Sequence, residues 1–380
     1  MTADAEWAGR FPANDIIGLL DNFPRHNLGE STSQDLMLGE LLDLVGLDRL
    51  RHLRLGYVSA AGTAELRDQI SRLSGAPAHT ILTTQGVGLA LFLLAFEHCR
   101  PGDEAVVLTP CFPPSRDTLV GAGVQVRPAP LAFDQGYRMN LDAITASLSP
   151  RTKLVSLASP QNPSGVRVRE GEVAALLQAM SAHAPHALLL IDEIYRDATY
   201  GDASAPDSFA THDARVITTG SVSKAHGAPG LRVGWLTVPD PDLLARLTVA
   251  KMNITLSSSA LDEALAERIL AHREEILAPR RAFLAQALDL LGDWHATQEH
   301  RLDWIQPEGG AMCCLRLRPD HFDDDAVTRF WQRLRQDEIQ LGCGLWFGES
   351  ARVFRLGFGY LPLPDFHLAL EQLATTMDGV

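Results

Sequence analysis

The 380-residue chain predicts an α/β fold: a mostly parallel sheet sandwiched by helices, joined to a smaller α+β domain built from both chain ends. Three observations carry that expectation. Six short runs are apolar on most positions, as strands covered on both faces are. Helical patterns separate several of them, which favours a parallel sheet. From about residue 256 the pattern changes to a long helical stretch and then to mixed strands and helices. The length suits one large and one small domain. The boundaries read as an N-terminal segment at 1–50 joining the small domain, a large domain at 51–270 and a small C-terminal domain at 271–380.

In chain order, the first 50 residues are irregular and then helical, and make no domain alone. Strand-like runs follow at 80–84 (TILTT), 104–109 (EAVVLT), 153–158 (KLVSLA), 187–192 (ALLLID), 215–219 (RVITT) and 232–238 (RVGWLTV). Helices are expected at 87–98 and 170–182. The C-terminal part offers strands in AMCCLRL and ARVFRLGFG and helices at 325–335 and 365–377. Arg316 and Arg318 read as solvating an edge strand.

Composition narrows the partners. Apolar residues make up 46% and charged residues 21%, enough for a sizeable core. The net charge of -14 argues against nucleic acid or an anionic membrane, which call for basic patches. A small molecule is the better expectation. The five cysteines include no C-x-x-C, the start MTADAEWAGR has no basic leader, and Glu97 and His98 interrupt the most apolar run. A cytoplasmic protein with no metal is expected.

In parallel sheets ligands bind where strands end, and five consecutive exits are chemically loaded. They carry Gly86-Val87-Gly88 opening a helix, then Phe112, then Asn162-Pro163-Ser164-Gly165, then Asp192 with Tyr195, then Ser221, Ser223 and Lys224. The stretch SVSKAHGAPGLRVGW sets Lys224 among small residues with Arg232 shortly after. A desolvated lysine becomes a neutral amine, a nucleophile able to form a Schiff base with a carbonyl.

This ordered set, with a late Arg355 in FRLGFG, resembles the fold-type I pyridoxal-phosphate (PLP) enzymes, and within them the class I/II aminotransferases of the aspartate aminotransferase superfamily. The resemblance spans about residues 28 to 359. It implies pyridoxal 5'-phosphate as cofactor, held by the 51–270 domain, with Lys224 forming the internal aldimine and then shuttling the Cα proton. It implies Asp192 on the pyridinium nitrogen, Tyr195 and Asn162 on the ring's phenolic oxygen, and Phe112 stacked on the ring. The phosphate would lie on Gly86, Val87 and Gly88 at a helix start, with Ser221, Ser223 and Arg232. Arg355 would clamp the substrate α-carboxylate, aided by Asn162 and the backbone at Gly29. Tyr57 matches the family tyrosine that reaches a neighbouring subunit's phosphate, which implies a homodimer with shared active sites.

The implied activity is transamination between an L-amino acid and a 2-oxo acid. The lysine motif is also similar to that of capreomycidine synthase, a relative that cyclises a hydroxylated arginine, so elimination, replacement or cyclisation stays open beside transamination. A regulatory domain without turnover is the reading from another class. PQNPSG in place of PxNPTG, His226, Ala228 and LWFGES depart from the common pattern and put an aspartate or aromatic substrate in doubt. The segment around Asp15 to Ser33 is expected to help select the substrate side chain.

Overall fold

The structure is a computed structural model that describes residues 9–14, 16, 18, 24–46 and 48–380. Asp15, where the expected selecting segment begins, lies outside them. The strands are β1 (His26–Asn27), β2 (Ile81–Thr84), β3 (Glu104–Thr109), β4 (Gln125–Pro130), β5 (Thr152–Ala158), β6 (Leu188–Asp192), β7 (Val216–Ser221), β8 (Gly234–Thr237), β9 (Leu302–Ile305), β10 (Met312–Leu317), β11 (Ile339–Gln340), β12 (Gly342–Cys343) and β13 (Val353–Gly357). Seven of them form one sheet in the order β2-β8-β7-β6-β5-β3-β4. Only β8 runs against the rest, pairing antiparallel with β2 and β7.

The apolar runs have the cause expected of them. Val106, Leu108, Val155, Leu157, Leu189 and Ile191 bury one face of the sheet. Their alternating neighbours Ala105, Val107, Leu154, Leu190 and Ile217 bury the other. A strand with helices on both sides has no polar face to show. Helices Gly86–His98 and Glu170–His183 lie close to the predicted spans. The mostly parallel sheet between helices, with an additional antiparallel sheet, bears out the expected fold class.

β4 was not foreseen. Its sequence QVRPAP carries Pro128 and Pro130, which remove ladder donors, and it pairs only with β3 at the sheet edge, where proline is tolerated. The second sheet is antiparallel in the order β12-β13-β10-β9. Helices Arg273–Gln298, Asp324–Gln336 and Leu363–Asp378 cover it, with Phe330, Phe354, Phe358 and Phe366 in the shared core. Here the expectation for Arg316 fails. β10 lies between β13 and β9, so it is no edge, and Arg316 stacks 4.3 Å over the Phe133 ring while pairing with Asp134 and Asp303, each at 2.8 Å. Arg318, just past the strand, pairs with Asp320 at 3.1 Å.

Candidate active site

The strand register assembles the site. Ala158, Asp192 and Thr219 stand side by side across β5, β6 and β7. Thr84, Gly234 and Ser221 stand side by side across β2, β8 and β7. Because β8 is reversed, its entering residues reach the same edge at which its neighbours leave. Arg232 is thereby delivered beside the helix that opens at Gly86. The two touch: a Cβ on Gly86 would fall 2.3 Å from Arg232 Nη2, and one on Gly234 would fall 2.7 Å from the Gly86 carbonyl carbon. Gly86 also has φ of 72°, a conformation that costs other residues.

The absence of side chains at Gly86 and Gly234 thus seats an arginine against the amino end of the helix Gly86–His98, where Val87 and Gly88 add first-turn amides. The Arg232 Nη1 group donates to Pro229 O at 2.9 Å, which fixes the guanidinium. Ser221 Oγ donates to Val233 O at 2.7 Å and lies 2.7 Å from Ser223 Oγ. The structure therefore brings Gly86, Arg232, Ser221 and Ser223 to the same end of the sheet.

Lys224 follows on the same loop. It is half-buried rather than buried, and a carboxylate that sequence reading missed accepts from it: Glu30 Oε1, 3.4 Å from Lys224 Nζ. Ser31 Oγ lies 3.4 Å from the same nitrogen and 2.9 Å from Tyr195 Oη. The Tyr195 ring centroid is 5.9 Å from Lys224 Nζ. Burial pushes Glu30 up, yet the charges of Lys224 and Arg355 outweigh it and hold the carboxyl below its ordinary value. Residues 30 and 31 sit in NLGEST, inside the segment from Asp15 to Ser33 expected to help select the side chain, although neither was singled out there.

Asp192 is buried at the end of β6. Burial raises its pKa to about 7; the amide of Ile194, donating to Oδ1 at 3.1 Å, works against this, the charge of Glu193 adds to it, and that of Lys224 opposes it. Arg355, in the middle of β13 and 3% exposed, donates through Nη1 to Asn162 Oδ1 at 2.9 Å and through Nη2 to Gly29 O at 2.6 Å. Its guanidinium lies 4.9 Å from the Phe347 ring centroid, and its buried Nε has no partner. The three residues expected to meet the substrate carboxylate thus meet one another. Asn162 belongs to a turn tied to the β3 exit, since Gln161 Nε2 donates to Pro110 O at 2.9 Å. Phe112, two residues on, precedes the helix Pro113–Gly121 and is partly buried. Tyr57 stays apart: it is 86% exposed.

The profile of the family "aminotransferase class I and II" matches residues 14–360. The chain belongs to that family. Capreomycidine synthase of Streptomyces vinaceus is 32% identical over 363 residues, covering 93% of this chain and 91% of that one. Arginine–pyruvate transaminase of Pseudomonas aeruginosa is 26% identical over 310 residues, covering 78% and 75%. Among solved structures, the PLP-dependent cyclase OrfR superposes with a TM-score of 0.83 at 26% identity, with 93% of each chain covered.

Family membership gives pyridoxal phosphate as the cofactor, and the residues present fit it. Gly86 and Gly234 let Arg232 pack directly against the start of the helix, which sets a guanidinium suited to phosphate beside the first-turn amides. Asp192 is a buried carboxyl that a ring cation would return to its charged form. Among the described residues no cluster of histidine, cysteine, aspartate or glutamate could hold a metal, and no helix is long and apolar enough to cross a membrane.

Proposed function

We propose that the chain is an aminotransferase acting on an L-amino acid, with Lys224 as the group that moves the α-proton. The observation that carries the reading is the convergence of Lys224, Tyr195, Asn162 and Arg355 at one end of the sheet. When bound, pyridoxal phosphate supplies an electron sink for the pair left behind as the Cα–H bond breaks. Arg232, Ser221, Ser223 and the amides of Gly86, Val87 and Gly88 hold its phosphate. Asp192 would hold its ring nitrogen protonated, Phe112 would cover the ring, and Tyr195 and Asn162 would donate to its phenolic oxygen. Arg355 grips the α-carboxylate with Asn162 and the Gly29 carbonyl beside it, which orients Cα toward Lys224 Nζ. That nitrogen takes the α-proton and holds it for return. Over the full cycle the donor leaves as its 2-oxo acid and its amino group passes to a second 2-oxo acid, which leaves as an amino acid.

Residues 51–270 serve as the cofactor domain in this reading, with 1–50 and 271–380 forming the small one. The exposure of Tyr57 supports a homodimer in which that tyrosine reaches the neighbouring copy's phosphate. A cytoplasmic site of action goes with it.

A second reading, elimination or cyclisation, is favoured by the likeness to capreomycidine synthase. It shares every step up to proton removal. One experiment separates them: an amino acid panel with product analysis. An oxo acid formed with loss of the protein's visible absorbance supports transamination; ammonia or a cyclic product with the absorbance retained supports the second reading. Lys224→Ala is expected to abolish turnover and borohydride labelling while the circular dichroism stays unchanged. Near-normal turnover in that variant would remove Lys224 from the mechanism.

A further inference from the structure

The charges around Lys224 do not balance once each is given its partner. On the reading above, Arg232 faces the phosphate, Arg355 faces the substrate carboxylate, Asp192 faces a ring cation, and the Lys224 nitrogen is committed to the reaction. Glu30 is left over. It is held firmly, because Ser31 N and Thr32 N donate to its Oε1 at 2.8 and 3.1 Å. Those amides favour the ionised carboxylate and fix its direction. The hydrogen bonds described for this group all go to Oε1 and none to Oε2. Gly29, one residue earlier, accepts from Arg355, so the chain itself sets the distance between the carboxylate clamp and this anion.

A second carboxylate stands behind the first. Asp35 is raised from its ordinary value by burial and then by the charge of Glu30, and Tyr360 is raised by burial and then by Asp35 and Glu30. Asp35 also lines a cleft of about 390 Å³ that holds Glu40 and Glu275 against one cation, Arg280. An acidic side chain brought to Glu30 would meet like charge, and a neutral one would offer it no cation in place of Lys224.

We propose that Glu30 recognises the substrate side chain and that this side chain carries a cation, an amino or guanidino group. The assignment rests on the proposed reaction for the place of the substrate, and it also explains why NLGEST puts an acid directly beside a backbone group that touches the carboxylate clamp. In the cofactor-free chain Lys224 pairs with Glu30 at 3.4 Å, and the incoming cation takes over that pairing once Lys224 is engaged in the reaction.

The test uses the PLP-loaded enzyme and calorimetry with three probes: L-arginine, L-lysine and L-citrulline, the last being a neutral near-isostere of arginine. Arginine and lysine are expected to bind about 10- to 100-fold more tightly than citrulline, the range for one charge-assisted hydrogen bond. Glu30→Gln keeps an acceptor for the Ser31 and Thr32 amides and is expected to bring arginine down to the citrulline value. Glu30→Asp, which keeps the charge, is expected to retain part of the preference. Equal binding of arginine and citrulline by the native enzyme overturns the assignment, as does a Glu30→Gln variant whose preference is intact, or Gln and Asp variants that behave alike. Product analysis is read separately. A cation preference without any product strikes at the reaction and leaves Glu30 in place; turnover of neutral amino acids with arginine ignored does the opposite.

Discussion

Replacing Asp192 by asparagine in the cofactor-free protein isolates the electrostatic load that the site carries. Asp192 is 6% exposed, and its carboxyl, ordinarily at 3.8, is raised to about 7. Each unit corresponds to about 1.4 kcal/mol, so the ionised form costs the folded state about 4 kcal/mol. The sign follows from proton counting. Between 3.8 and about 7 the folded chain keeps a proton that the unfolded chain has released, so stability is full below 3.8 and is lost as pH rises toward 7. Asparagine keeps the acceptor for Ile194 N and cannot ionise. Urea denaturation of both proteins at pH 5 and pH 8 measures the difference. The native chain should lose about 3 kcal/mol relative to Asp192→Asn over that interval. Cofactor binding, which sets a cation opposite Asp192, should recover most of it in the native chain and little in the variant. Equal pH slopes for the two apo proteins, or an asparagine variant less stable at pH 8, would refute the argument.

Three further outcomes are expected. Arg355→Ala should raise KM with a smaller effect on kcat, by about 2–3 kcal/mol or roughly 30- to 150-fold, and an unchanged KM would take Arg355 out of substrate binding. Gly86→Ala forces a Cβ onto Arg232 Nη2 and strains a positive φ, so pyridoxal phosphate titrated into the apo protein should bind at least about 10-fold more weakly by absorbance; native affinity would argue against phosphate binding by Arg232 at this helix start. Lys251 is fully buried, donates to Ala60 O at 2.8 Å and Ser258 Oγ at 3.0 Å, and is lowered by burial to about 8. The unfolded chain holds that proton up to about 10.5, so stability should rise by about 3 kcal/mol from pH 8 to 10.5, and Lys251→Met should lack that rise in denaturation curves.

Much of this was readable in the chain because strands buried on both faces are conspicuous and their exits are short. Asp192 and Arg232 are end residues of such runs, and Gly86, Asn162 and Lys224 stand a few residues past the end of one. β4 was hidden by Pro128 and Pro130, since the edge position that tolerates them is a tertiary fact. The interior place of Arg316 was hidden because nothing local reveals that β9 and β13 flank β10. Glu30 escaped for a related reason. Its loop has no periodicity, and its role comes from contacts with groups distant in sequence: Ser33 N donates to Lys224 O at 3.2 Å and Leu36 N to Gly227 O at 2.7 Å. The reading did recover Gly29, whose carbonyl meets Arg355. Tyr57 is the reverse case, where one chain offers no partner for a residue that points outward.

The loop from Leu28 to Leu36 also bears on the order of assembly. Leu28 O accepts from Gly357 N, and residues 33 and 36 pair with the lysine loop. These residues are among the last to find their seats, because their partners near both 225 and 356 follow far later in the chain and must be synthesised first. Such sequence-distant closures are slow. Newly made chains should therefore pass through a stage with a finished sheet and an unlatched reaction centre, and in refolding, protease protection of this loop should lag behind protection of the central strands.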